Sequence, residues 1–478
     1  MQNSIGEQLV EDGLLTPSQL AQAYTWQQHN GRQLAYAITY LGFVTQAQLT
    51  HYLNLELPVP QKIEDTGLSE ALLTDLLLKS AYLESGIFSI QSITSALSLP
   101  FSIVNQLIEL IRSDHLITVR GAASYTSSQP LELTQRGRER AEAALQISSY
   151  VGAAPVPIEV YTHILNKQSV RLIELDREWV YSSLSHLVMS DQLINQLGPA
   201  FASGRSVFLY GQPGVGKTSI AEALGNSLPG EVYIPQALEV GGQIIRFYDP
   251  VTHVSIESDQ TEHVSQLDLS NKLTYDPRWK KCRRPVIMVG GELTLDMLEL
   301  KYDAVSKFYE APIHMKASNG VFILDDFGRQ RVDPRQLLNR WIIPLEKGVD
   351  FPSLHTGLKF KIPFDQITVF STNLKPTDLV DEAFLRRIRH KIQIPSQTEG
   401  EYKEILRRAC HTYGVHYDSS VVEYLLNNYY RKQNRTLAGS HPRDLLEHII
   451  EYAAFLKQTP EFTIETVNAA AANYFVDL

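Results

Sequence analysis

The residues best suited to chemistry lie near the middle of the chain, in SVFLYGQPGVGKTSIAEALG. Gly211, Gly214 and Gly216 shape a loop that runs through Val215 into Lys217, Thr218 and Ser219, with the spacing G-x-x-x-x-G-K-T. Glycines there let backbone N–H groups turn toward phosphate oxygens. The lysine reaches the β- and γ-phosphates, the threonine hydroxyl serves a magnesium ion, and the N-terminus of the following helix faces the anion. An apolar strand over 207–210 precedes the loop and an amphipathic helix follows it, which is the context this mechanism requires. A second apolar strand, 321–324, ends in Asp325 and Asp326 within NGVFILDDFGRQ. After a phosphate loop, the first such acid holds the magnesium shell and the second polarises the attacking water. NKLT at Asn271 lacks the aspartate that would specify guanine, so ATP is the expected nucleotide.

Two further elements follow in order. QITVFSTN ends on Asn373, and Arg386, Arg387 and Arg389 stand on the approach to a strand at 392–394. GSHPRDLLEHII then places Arg443 at the start of a helix. Over about residues 180–478 this succession resembles the AAA+ ATPase superfamily. The resemblance implies that Asn373 orients the lytic water and that Arg387 reaches a neighbouring subunit's γ-phosphate, with Arg386 and Arg389 as rivals. It implies that Arg443 closes a lid on the same subunit's nucleotide, and that Leu187 and Val188, in LSHLVMSDQLINQL, pack on the adenine. It also implies magnesium-dependent ATP hydrolysis in a homo-oligomeric ring, expected as a hexamer. Most relatives carry glutamate where Asp326 stands, so the base is one methylene shorter and slower turnover is expected.

These residues need elements to hold them. Strands alternating with helices from about residue 175 predict an α/β fold with a parallel sheet, and the helical pattern beyond Pro395 predicts a lid. The expected domains are a helical repeat module (1–60), a winged-helix-like domain (61–147), a linker (148–175), the ATPase core (176–395) and the lid (396–478). Thr218 and Asp325 are 107 residues apart, more than a minimal core needs. The excess is read as a β-hairpin around Asp249 and Pro250 followed by a strand and helix in PVIMVGGELTLDMLEL. It also contains DPRWKKCRRP, where Arg278, Lys280, Lys281, Arg283 and Arg284 surround Trp279, a candidate contact for a polyanion.

The first 57 residues contain a repeat offset by 29: Gly6, Gly13, Thr16 and Leu20 recur as Ala35, Gly42, Thr45 and Leu49. The pattern resembles the N-terminal domain of type II secretion and type IV pilus assembly ATPases, some members of which bind cyclic di-GMP. Here Ser4 and Gln33 replace the pattern's arginines, Arg32 falls one place early, and Ala35 replaces a glycine. A docking module is therefore favoured over a dinucleotide site. Residues 61–150 carry seven Lys or Arg against ten Asp or Glu, and the expected recognition helix offers only Arg112 to phosphate. That favours a protein contact over a duplex, which needs several phosphate contacts at physiological salt.

With 43 basic and 53 acidic residues the formal charge is −10, which disfavours a protein that coats nucleic acid or anionic membrane. Cys282 and Cys410 form neither a C-x-x-C pair nor a zinc spacing, and His253 and His263 lack a third ligand type nearby. No run of about 18 apolar residues is present, and no signal-peptide pattern opens the sequence, so no membrane span and a cytoplasmic location are expected. The leading expectation is an AAA+ ATPase that remodels or assembles a protein partner, possibly in a secretion or pilus system. Its rivals are a nucleotide-gated regulatory scaffold with slow turnover and a DNA-associated loader.

Overall fold

The computed structural model of the chain describes residues 6, 9–10, 12–30, 34–45, 48–49, 57–120, 130–256, 273–379 and 385–475. Ser4, Arg32, Gln33, His263 and Asn271 lie outside the described residues, as does the side chain of Ala35.

Five short apolar runs build the central sheet: β1 (Val207–Tyr210), β2 (Val286–Val289), β3 (Val321–Leu324), β4 (Ile367–Thr372) and β5 (His390–Gln393). Their order is β2-β3-β4-β1-β5, and every neighbouring pair is parallel. Parallel strands are covered on both faces, so β3 and β4 are buried along their whole length. Helix α1 (Lys217–Asn226) follows β1 and buries Ile220, Ala221 and Leu224 against one face. Helix α2 (Pro334–Lys347), started by Asp333 and Pro334, places Leu337, Leu338 and Trp341 on the other. Strands β4 and β5 leave β1 on opposite sides, which makes the carboxyl end of β1 a switch point where ligands bind such sheets.

The long stretch between Thr218 and Asp325 supplies four strands of a second sheet, the fifth coming from Val156–Pro157, with a core of Tyr161, Phe247, Trp279 and Tyr309. Its strand order is Lys301–Asp303, Phe308–Glu310, Gln243–Arg246, Ala237–Val240 and Val156–Pro157. Three expectations change here. The hairpin turns at Gly241 and Gly242, both with positive φ, where the chain needs a conformation that glycine adopts freely; Asp249–Thr252 is a separate turn. Val286–Val289 is an edge strand of the main sheet, not part of an insertion, and a 3₁₀ turn at Leu295–Leu298 follows it. Residues 148–175 are not an open linker. Val156–Pro157 pairs with Leu238–Glu239, and Ile158–Lys167 is a helix that buries Tyr161, Ile164 and Leu165.

The segment before it runs helix Glu70–Leu83, strand Ile87–Phe88, helices Ile90–Leu97 and Phe101–Ser113, strands Ile117–Val119 and Leu131–Leu133, and helix Gln135–Ile147. The strands form a three-stranded antiparallel sheet. In the first 60 residues the turns at Gly13 and Gly42 use equivalent hydrogen bonds. Thr16 and Gln19 bond each other at 2.8 and 3.2 Å, and Thr45 and Gln48 do so at 3.0 and 3.2 Å. Among the described residues no single helix is long and apolar enough to cross a membrane.

At the C-terminus, α3 (Glu399–Tyr413), capped by Thr398 and Glu401, and α4 (His441–Phe455) pack around Tyr402, Leu406, Leu446 and Ile449.

Candidate functional site

The glycine-rich segment turns out of β1 at Gly211. A Cβ there would stand 2.3 Å from the Ile394 carbonyl oxygen, so only glycine lets the loop pass beside the end of β5. Gly214 has φ +75°, and a Cβ on it would lie 2.7 Å from Ser440 Oγ. The Ser440 N–H donates to the Gly214 carbonyl at 3.0 Å, which seats the start of α4 directly on the loop. Gly216, at φ +92°, is followed by Lys217 as the first residue of α1, so the helix N-terminus opens onto the loop.

Five of the expected polar residues gather around it, three in one hydrogen-bonded chain and two in a pair. Lys217 Nζ donates to the carbonyls of Gly211 (3.1 Å) and Gln212 (2.9 Å) and to Asn373 Oδ1 (2.7 Å). Asn373 Nδ2 in turn donates to Asp326 Oδ1 at 3.1 Å. Thr218 Oγ1 donates to Asp325 Oδ2 at 2.8 Å. Burial pulls the Lys217 ammonium below the ordinary lysine range, opposed by the attraction of Asp325 and Asp326. Asp326 has φ +46°, which is strained for a non-glycine residue. It is held there by the Phe327 N–H on the Ser371 carbonyl (2.7 Å) and the Arg329 N–H on its own carbonyl (2.9 Å). Backbone strain fixed in this way is a feature of functional sites.

A cleft of about 560 Å³ joins these groups to α3 and α4, a volume typical of small-molecule sites. Leu187 and Val188 line it, as do Val215, Ser219 and Arg443. Arg443, exposed on the first turn of α4, has Nε 3.6 Å from Glu447 Oε1. The donor set of Thr218 hydroxyl and Asp325 carboxylate consists of hard oxygens and fits magnesium. Among the described residues no group of three or more His, Cys, Asp or Glu could hold a metal ion. A magnesium ion at Thr218 and Asp325 would therefore complete its shell from phosphate and water oxygens.

Arg386, Arg387 and Arg389 do not line the cleft. Arg387 Nε lies 3.3 Å from Glu346 of α2, and Arg389 is close enough to Arg205 to oppose its charge. Sequence reasoning missed Arg408, which lines the cleft from α3 and donates through Nη1 to the Ser185 carbonyl at 2.9 Å. Its signal was an arginine pair on a charged helix, with no spacing to mark it. In the candidate polyanion segment, Arg278, Lys281 and Arg284 are engaged within the protein, whereas Arg283 is exposed. Arg278 is buried against Asp276 at 2.7 Å and also donates to the carbonyls of Thr66 and Pro155. Arg284 donates to the carbonyls of Pro229, Gln168 and Asn319, Lys281 pairs with Glu231, and Trp279 is in the core.

A family model described as a domain of unknown function (DUF8689) matches residues 398–473, the C-terminal helices. No curated protein matches the chain. Among solved structures, the chain is similar to the Thermotoga maritima RuvB Holliday junction branch migration motor at 13% identity, covering 63% of this chain and 71% of that one, with a TM-score of 0.31. It is also similar to domain III of the Thermotoga maritima replication initiation protein DnaA at 12% identity, covering 64% of this chain and 100% of that one, with a TM-score of 0.34.

Proposed function

We propose that the chain is an AAA+ ATPase that binds ATP with magnesium and hydrolyses it to remodel or assemble a protein partner. The observation that carries the reading is the linkage of Lys217, Asn373 and Asp326 by hydrogen bonds beside the Thr218–Asp325 pair, in a cleft that the lid closes through Ser440 and Gly214. Bound magnesium supplies charge neutralisation between the phosphates and Asp325.

The protein's own groups divide the remaining work. The loop N–H groups and Lys217 hold phosphate oxygens, with Lys217 exchanging its carbonyl partners for them. Asp326 accepts a hydrogen bond from the attacking water, and Asn373 fixes the position of that carboxylate. Leu187 and Val188 pack the base, and Arg443 reads the nucleotide from the lid. Arg387, which does not line the cleft, acts on a neighbouring subunit's nucleotide in a ring. The N-terminal segments serve as docking elements, and a secretion or pilus assembly is the partner class their resemblance favours.

The test is a pair of variants. Lys217→Ala should lose ATP binding with its thermal unfolding unchanged. Asp326→Asn should bind ATP and stop turning it over. Tight ATP binding by the first, or normal turnover by the second, removes the assignment.

A further inference from the structure

The amino edge of the main sheet, the length of β1 away from Gly211, carries cations that ATP hydrolysis does not use. Arg171, Arg205 and Lys347 line two adjoining hollows of about 120 and about 80 Å³. Tyr24 and Leu34 of the N-terminal segment wall the larger one. Neither hollow shares a residue with the cleft at Lys217.

Charge is not balanced within them. The Asp365 carboxylate is already committed, accepting from Ser169 Oγ at 2.7 Å, Val170 N at 3.0 Å and Asn319 Nδ2 at 2.6 Å. Arg171 Nε stands 3.7 Å from it and is buried without a hydrogen-bond partner. Glu346, at the smaller hollow, is taken up by Arg387. Arg205 has no ion-pair partner among the described residues. Burial and the charges of Arg171 and Arg389 hold its pKa below the usual guanidinium range. Independent of charge, Gln366 and Thr368 line the smaller hollow at 4% and 1% exposure, and Gln366 Nε2 and Thr368 Oγ1 have no hydrogen-bond partner. Native interiors rarely leave such groups unmatched.

We propose that the two hollows form one binding site for a phosphate-bearing small molecule. Its phosphate sits among Arg205, Lys347 and the Gln366 amide, and the rest of the ligand lies beneath Tyr24 and Leu34. Guanidinium forks match phosphate oxygens in pairs. The hollows are too small for a folded segment or a duplex, which favours a small ligand over a macromolecule. Because the walls come from both the N-terminal segment and the core, an occupied site ties the two together.

The test uses the full chain carrying Lys217→Ala, so that the phosphate loop does not contribute, and titrates inorganic phosphate, pyrophosphate and ribose 5-phosphate by calorimetry. Saturable binding of at least one probe is expected. Adding Arg205→Gln and Lys347→Gln should weaken it by about tenfold or more, since hydrogen bonds to charged groups are worth at least that. Arg205→Lys alone should retain most of it. A preference for ribose 5-phosphate identifies an organic ester, and a preference for pyrophosphate an inorganic ligand. No saturable binding of any probe, or binding indifferent to the glutamine pair, overturns the proposal. Pyrophosphate binding to the wild type that Lys217→Ala abolishes assigns it to the phosphate loop, and also overturns it. ATP binding measured on the same chains reports on the ATPase reading separately.

Discussion

Lys217 and Arg278 are both buried cations on short motifs rich in basic or glycine residues, yet they do opposite work. Lys217 is held by two backbone carbonyls and an amide oxygen, all formally neutral. Arg278 is held by the Asp276 carboxylate through Nε and Nη2, with carbonyls finishing its donors. A buried cation whose direct partners are neutral keeps its attraction for an anion, while one that faces its own carboxylate is already compensated. The difference separates a cation that can still attract an anion from a structural clasp, and it is invisible in a count of lysines and arginines.

The largest effect expected from breaking this comparison is on turnover. Lys217→Ala should remove ATP binding and all hydrolysis, whereas Arg278→Ala should leave both in place in whatever fraction stays folded. Next comes Arg387. An arginine acting on a neighbour's nucleotide contributes about 10³ to 10⁵ in rate, so Arg387→Ala should bind ATP normally and turn over at least a thousandfold more slowly. Specific activity of the wild type should rise with protein concentration. Mixing Arg387→Ala with Asp326→Asn should recover activity, because a mixed ring sets an intact arginine against an intact acid. Concentration-independent activity, with Arg387→Ala fully active, would favour a regulatory scaffold over a ring machine.

Arg278 should instead appear in stability. Removing it strands the Asp276 carboxylate in the interior and releases the carbonyls of Thr66 and Pro155, which come from two distant segments. Breaking one partner of a buried pair costs about 3 to 5 kcal/mol. Arg278→Ala should lower the urea midpoint accordingly, and the double change Arg278→Met with Asp276→Leu should restore much of the loss. A midpoint unchanged in Arg278→Ala would mean that the pair contributes nothing.

The contrast also explains what could be read from the chain. The strands that end at Gly211, Asp325 and Asn373 were legible because each is an apolar run that had to be buried in a parallel sheet, and the structure gathers their terminal residues at one end of it. Asp276 was two residues from Arg278 and equally visible, but nothing local says that the two face each other inside. The segment 148–175 looked like a linker because Ala153, Ala154 and Pro155 are small. They are small because they are packed, with the Ala154 N–H on the Leu97 carbonyl at 2.7 Å. The hairpin turn was sought at Asp249 and Pro250, although Gly241 and Gly242 offered the positive φ that a tight reversal needs. The seat of Ser440 on Gly214, the approach of Arg408 to Ser185 and the cluster of Arg171, Arg205 and Lys347 arise from residues far apart in sequence, and no spacing announces them.

The smallest effect concerns a third buried basic group, His253, which resolves the same problem by staying neutral. The Asp249 N–H donates to its Nδ1 at 3.0 Å, so the ring proton sits on Nε2 and is given to the Lys316 carbonyl at 2.9 Å. A second proton would have to sit on Nδ1, facing that N–H. Burial is the main cause that drives its pKa down from 6.5 to about 4, with the Lys316 charge acting in the same direction and Asp249 against it. The unfolded chain therefore binds more protons between those two values, and stability is present in full above pH 6.5 and falls as the pH drops toward 4. The slope from this one group approaches about 1.4 kcal/mol per pH unit, or about 3 kcal/mol across the window. His253→Gln keeps a donor for the Lys316 carbonyl but cannot take up a proton. Its urea midpoint should lie at or below that of the wild type at pH 7 and fall less steeply between pH 6.5 and 4.5. Parallel pH profiles for the two proteins would show that His253 takes up its proton in the fold as readily as in the unfolded chain.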